Sequence, residues 1–142
     1  MANDNTQQQL KPNPALRSLD KLVGTWQVSG EAQGQITFNW MEGGFFLIQT
    51  VDLDGGARGT EFIGYDAESN SLKSHYFSNT GDLLEYTYRA EGQTHTVSID
   101  MPGRKGQFVA LFSDDDNTFA GRWDWTQDGE KMGYDATMTR VK

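Results

Sequence analysis

The sequence of 142 residues has no cysteine, only three prolines and two histidines, and an excess of acid over base. It also lacks any apolar run near the roughly 20 residues that a membrane-spanning helix needs. The absence of cysteine excludes disulfides and thiolate metal sites, and it fits a cytoplasmic location. Twelve Lys and Arg stand against 20 Asp and Glu, a net charge of −8. That sign opposes contact with phosphate backbones, which depends on Lys and Arg. Neither a nucleic acid nor a membrane is therefore expected as a partner. There is no nucleophile motif, no phosphate-cradling glycine loop and no zinc spacing. The acidic stretches "SDDDN" and "DLDGGARGTE" do not have the spacing of a calcium loop. No cofactor or metal is expected, and a non-catalytic role is favoured over an enzymatic one.

What is abundant is aromatic and glycine residues: Phe 8, Tyr 5, Trp 4 and Gly 16. The opening "MANDNTQQQLKPNP" is polar and has no apolar segment of the kind a secretory signal carries. Residues 1–12 read as a disordered tail and residues 13–142 as one domain, long enough to bury a core. In "NPALRSLDKLVG", Asn13 can cap, Pro14 suits a first turn and Gly24 can stop a short helix. Leu16, Leu19 and Val23 would share its buried face.

Beyond Gly24 the pattern changes to short β-rich runs divided by turn signals such as "MEGG", "DGGA", "SNTG" and "QDGE". About ten strands result, at the spacing of an all-β barrel or sandwich. With no room for crossover helices, neighbours pair antiparallel. The simplest closure is an up-and-down barrel without a free edge, with a β-sandwich as the alternative.

Loop lengths set register, and register sets which side chains share a face. Taking Asp128-Gly129 as a two-residue turn sets Trp125 opposite Met132, Trp123 opposite Tyr134 and Phe119 opposite Met138, with Arg122 and Asp135 on the other face. An even loop at "SDDDN" adds Phe112 beside Phe119 and Phe108 beside Trp123. Four residues at "PGRKG" set His95 beside Phe112. Glu91-Gly92 as a turn sets Tyr88 beside His95, and a two-residue turn in "SNTG" brings in His75 and Phe77. From the other end, a three-residue "AQG" loop sets Trp26 beside Trp40, and "MEGG" adds Phe45, Leu47 and Gln49. Gly55-Gly56 as a turn then adds Thr60, Phe62 and Gly64, and Phe62 meets His75 across "AESN". Both walks deliver His75 inward. An odd loop on either side would turn Tyr76 inward instead.

The resulting inner face is apolar except for Gln49, Thr60, His75, Tyr86, Tyr88, His95, Tyr134 and Arg140. An apolar interior with a few placed polar groups is the character of a small-molecule site. The candidate ligand-binding set is Gln49, Phe62, His75, Tyr86, Tyr88, Trp123 and Tyr134. Trp125 is a further surface on which a planar ligand could stack. His75 is the candidate acid or base, its ordinary pKa lying close to neutrality. His95, placed towards the far end, is assigned a structural role. The competing picture is a filled barrel whose polar groups bond one another.

"LVGTWQVSG" resembles the G-x-W opening of the calycins, the superfamily of lipocalins and fatty-acid-binding proteins. That resemblance implies a Trp closing one end of the barrel against an Arg from a late strand, here Trp26 and Arg140. More widely, "WMEGGFFLIQ", "EFIGYDAESNSLKSHYFSNTG", "FSDDDNTFAGRWDWTQDG" and "ATMTRV" resemble an uncharacterised bacterial family of calycin-like β-barrels, a domain of unknown function. "HYFSNTG" is similar to that family's H-Y-F-x-x-x-G segment. The resemblance implies fold rather than activity, and it supplies no catalytic residues. "GTW" also resembles nitrobindin-like haem barrels, but no histidine follows His95 to match their late haem ligand.

The expected function is binding of a small hydrophobic or aromatic molecule, in a protein that is compatible with homo-oligomerisation. The alternatives are an isomerase, cyclase or hydrolase using His75, a haem barrel using His75 or His95, and a filled barrel acting in assembly.

Overall fold

The structure is a computed structural model described over residues 10–141. Residues 1–9 of the expected tail lie outside the described residues. A 3₁₀ helix, Pro14–Leu22, is followed by ten strands. These are β1 (Gly24–Gly30), β2 (Gly34–Trp40), β3 (Leu47–Leu53), β4 (Arg58–Asp66), β5 (Ser71–Ser78), β6 (Leu83–Glu91), β7 (Thr94–Met101), β8 (Arg104–Phe112), β9 (Thr118–Gln127) and β10 (Glu130–Arg140). Each pairs antiparallel with its neighbours in sequence, and β1 pairs with β10 to close the barrel. The expected all-β, ten-stranded up-and-down barrel with one short helix is what forms. No helix among the described residues is long and apolar enough to cross a membrane.

The helix starts as its sequence implies. The Asn13 side chain accepts from the Ala15 backbone N–H at 2.9 Å, and Pro14 occupies the first turn. Its winding is tighter than an α-helix, with three residues per turn. The buried leucines therefore fall at Leu16, Leu19 and Leu22, and Val23 leaves the buried face. The helix leads directly into β1 at one end of the barrel. There Trp26 is completely buried, and its indole N–H donates to the Leu22 carbonyl at 2.7 Å.

Trp26 and Arg140 are direct register partners across the closing seam. The guanidinium lies 4.3 Å from the centre of the Trp26 ring. It also donates to the carbonyls of Val23 (2.7 Å), Lys21 (2.8 Å) and Asp116 (3.1 Å). One side chain thus fastens the helix end, the β8–β9 turn and the last strand to the central tryptophan.

The inward face agrees with expectation around most of the ring, and the register in part of it. The β9–β10 and β8–β9 pairs are as expected, including Trp123 with Tyr134 and Phe108 with Trp123. The β6–β7 and β7–β8 pairings are shifted by two residues and β1–β2 by four. Even shifts keep every side chain on its face. Phe45 falls outside the strands in the β2–β3 turn and is partly exposed.

Two hairpins break the expected parity. In β3–β4, Asp52 pairs with Arg58, leaving residues 53–57 as the connection. In β5–β6, Phe77 pairs with Leu83, leaving residues 78–82. Both connections are odd in length, so β4 and β5 are turned over relative to the expected face. Phe62 and His75 are partners as expected, but on the outside. Thr60, Gly64 and Phe77 go outside with them, and Glu61, Ile63, Ser74 and Tyr76 replace them inside.

Replacing Arg140 with Ala removes the cation–π contact and the donors to three carbonyls. Arg140→Ala is expected to cost about 2–4 kcal/mol and to lower the melting temperature by about 5–10 °C. A thermal melt equal to that of the wild type would reject the anchoring role.

Candidate functional site

The barrel encloses a cavity of about 400 Å³. Its lining runs from Leu22, His95 and Phe119 near the helix end to Ala32, Leu53, Ala57 and Gln127 at the opposite rim. Ala57 is solvent-exposed, so the cavity opens at that rim. Two sides of the wall differ in character. Tyr86, Phe108, Trp123, Trp125 and Tyr134 form an aromatic side, with Phe108 stacked on Trp123 at 5.3 Å and Tyr86 tilted against it at 5.7 Å. Val28, Ile36, Val51 and Leu53 form an aliphatic side.

Into this wall projects one carboxylate. Glu61, on β4, is 3 % exposed and lines the cavity. Gln49, its partner on β3, donates from Nε2 to Oε1 at 2.5 Å. The Tyr88 hydroxyl donates to Oε2, also at 2.5 Å. Ser74 lies beside them, 2 % exposed, and its hydroxyl favours the charged form of Glu61 although it makes no well-formed hydrogen bond. No Lys, Arg or His among the described residues forms an ion pair with Glu61.

The electrostatics follow from burial. Removal from water raises the Glu61 pKa to about 7, against the opposing pull of Ser74, Tyr88 and Gln49. Burial, and then the Glu61 charge, hold Tyr86 and Tyr88 well above the usual phenol range, and Tyr76 is raised by the same two causes. Tyr134 is raised by burial and by Tyr76. All four phenols are therefore neutral at physiological pH, able to donate or accept. His95 moves the other way, down to about 4, through burial and then the charge of Lys21. It is a neutral ring packed edge-on to Phe112 (5.1 Å) and Phe119 (5.8 Å).

Of the residues picked out in the sequence, Gln49, Tyr86, Tyr88, Trp123 and Tyr134 line the cavity. Phe62 and His75 do not. Phe62 stacks edge-on to Phe77 on the outer surface at 6.3 Å. The His75 side chain is 56 % exposed, with Nε2 3.0 Å from Glu85. The physical reason is the odd β3–β4 and β5–β6 connections. Tyr76 is inward, as the odd-loop alternative has it, and Glu61 is what the sequence reading missed. One signal for them was available: Gly59 leaves the space that the Tyr76 phenol occupies, since a Cβ there would come within 2.3 Å of its hydroxyl. Such a glycine under an aromatic is a cross-strand pairing cue. No family model matches the chain, and no curated protein matches it.

Glu61 gives a stability prediction whose sign is fixed. Its carboxyl loses its proton near 4.5 when solvated and near 7 in the fold. Between those values the folded state holds more protons, so stability falls as pH rises, and the loss is complete above the higher value. The contribution is on the order of 3 kcal/mol. Glu61→Gln is expected to lack this component and to be the more stable protein at about pH 8, the difference vanishing near pH 4. Urea denaturation of both proteins across that range measures it, and parallel profiles would reject the buried acid.

Proposed function

We propose that this protein is a calycin-like binding barrel that holds a small apolar or aromatic molecule in its interior. The observation that carries the proposal is the cavity itself: about 400 Å³, open at one rim and mostly apolar, with Gln49, Glu61 and Tyr88 converging at one place on its wall. Such a volume falls within the range of about 300–1,000 Å³ typical of small-molecule pockets, and a few converging polar groups fix a ligand's orientation. Stacking area comes from Tyr86, Trp123 and Trp125.

The catalytic alternative loses the residue on which it rested, because His75 lies outside the barrel. Haem ligation by His75 fails for the same reason, and the His95 ring, though it lines the cavity, packs edge-on against Phe112 and Phe119. A filled barrel acting in assembly does not accord with the open volume.

N-phenyl-1-naphthylamine, a neutral dye that brightens in apolar surroundings, tests the proposal by fluorescence titration. The wild type is expected to bind it saturably at micromolar concentration. Val51→Trp, which fills the cavity from the aliphatic side, is expected to weaken binding by at least about tenfold, or 1.4 kcal/mol. His75→Ala is expected to bind as the wild type does. Equal binding by Val51→Trp, or loss in His75→Ala, would place the dye elsewhere and reject the interior site.

A further inference from the structure

Resting on that reading, we propose that the cavity's natural occupant is a cation: an aromatic or apolar body carrying a protonated amine that pairs with the Glu61 carboxylate.

Buried charges in proteins are ordinarily matched by an opposite charge. Here no matching charge pairs with it among the described residues. Gln49 and Tyr88 are neutral donors, each held at 2.5 Å, and they occupy two of the roughly four acceptor positions of a carboxylate. The remaining capacity belongs to a group that lines the cavity, where a ligand can reach it.

Among the described residues no cation forms an ion pair with Glu61. On β3 the facing residue is Gln49, on β5 Ser74 and Tyr76, and on β6 Tyr86 and Tyr88. Elsewhere on the cavity wall stand Tyr134, the neutral His95 and Arg104, the last at the start of β8 at the rim and not paired with Glu61. A protonated amine at Glu61 would also lie near the Tyr86 ring, whose neighbour is Trp123, and aromatic faces attract cations. The net charge of −8 adds a long-range field of the same preference. An anionic ligand of the same shape would meet a like charge in a dry site, and a neutral one would leave the carboxylate without its partner.

Three indole probes of similar size separate these cases by isothermal titration calorimetry on the full chain: tryptamine, tryptophol and indole-3-propionate. At about pH 8 tryptamine is expected to bind about tenfold more tightly than tryptophol, as hydrogen bonds to charged groups imply, and indole-3-propionate most weakly. Glu61→Gln should remove that tenfold advantage and leave tryptophol within about twofold of its wild-type affinity. Lowering the pH through the Glu61 titration near 7 should weaken tryptamine and leave tryptophol unchanged. Tyr88→Phe keeps the carboxyl but removes a donor that favours its charged form, so the pH at which the preference for the amine is lost should move upward in it.

Tryptophol binding as tightly as tryptamine, or tryptamine indifferent to Glu61→Gln, would overturn the cationic ligand and leave the binding barrel standing. A preference lost at the same pH in Tyr88→Phe as in the wild type would overturn the assignment to Glu61. No binding by any of the three would overturn the binding barrel together with this proposal.

Discussion

Closure of the barrel at the Trp26–Arg140 seam is the constraint from which the remaining geometry follows. A sheet of ten strands left open would present two edges, each a row of unpaired backbone groups. Pairing β1 with β10 removes both, and it fixes which side of every strand is inside. Arg140 makes closure more than a backbone ladder. Its guanidinium covers the Trp26 ring and satisfies carbonyls from the helix end and the β8–β9 turn. One end of the barrel is thereby shut by the helix and its leucines, and the cavity opens at the opposite turns.

Inside such a ring, a strand has only two states, and parity chooses between them. That is why eight of the ten strands could be faced from sequence even where the register was displaced by two or four residues. It is also why β4 and β5 could not. Each walk along the chain met one odd connection, residues 53–57 from one end and residues 78–82 from the other. The two walks then agreed with each other about His75 because they had made the same kind of error. The glycines at 55, 56 and 81 permit tight two-residue turns but do not require them, since they serve equally in longer loops.

The composition of those two strands could not correct the error. In β5 the alternating sets are Leu72, Ser74 and Tyr76 against Lys73, His75 and Phe77, which differ little in apolar content. In β4 the sets are Glu61, Ile63 and Tyr65 against Thr60, Phe62 and Gly64, and the preference for uncharged residues inside points the wrong way. It selects Phe62 over Glu61, because an acid almost never belongs in a core unless something compensates it. The compensation sits on other strands, at Gln49 and Tyr88, and neither reveals its role before the register is known. Aromatic walls were legible because aromatics inside a barrel follow the rule. The acid was hidden because it breaks the rule.

A broken rule of this kind has a physical consequence. A carboxylate with only neutral groups beside it and no ion-pairing cation among the described residues costs stability when it is charged, and its raised pKa expresses that cost. Glutamine at the same position would offer one acceptor and one donor group without a charge, and the Tyr88 hydroxyl can turn to accept, so hydrogen bonding alone does not require an acid there. What an acid adds is a charge whose strength grows as water is excluded, and an occupant that completes the seal of an apolar cavity excludes the most water. The feature that costs stability when it is unpaired is therefore the one that would discriminate most sharply among occupants. Stability lost to the unpaired charge returns, by mass action, when a cation binds the folded state alone.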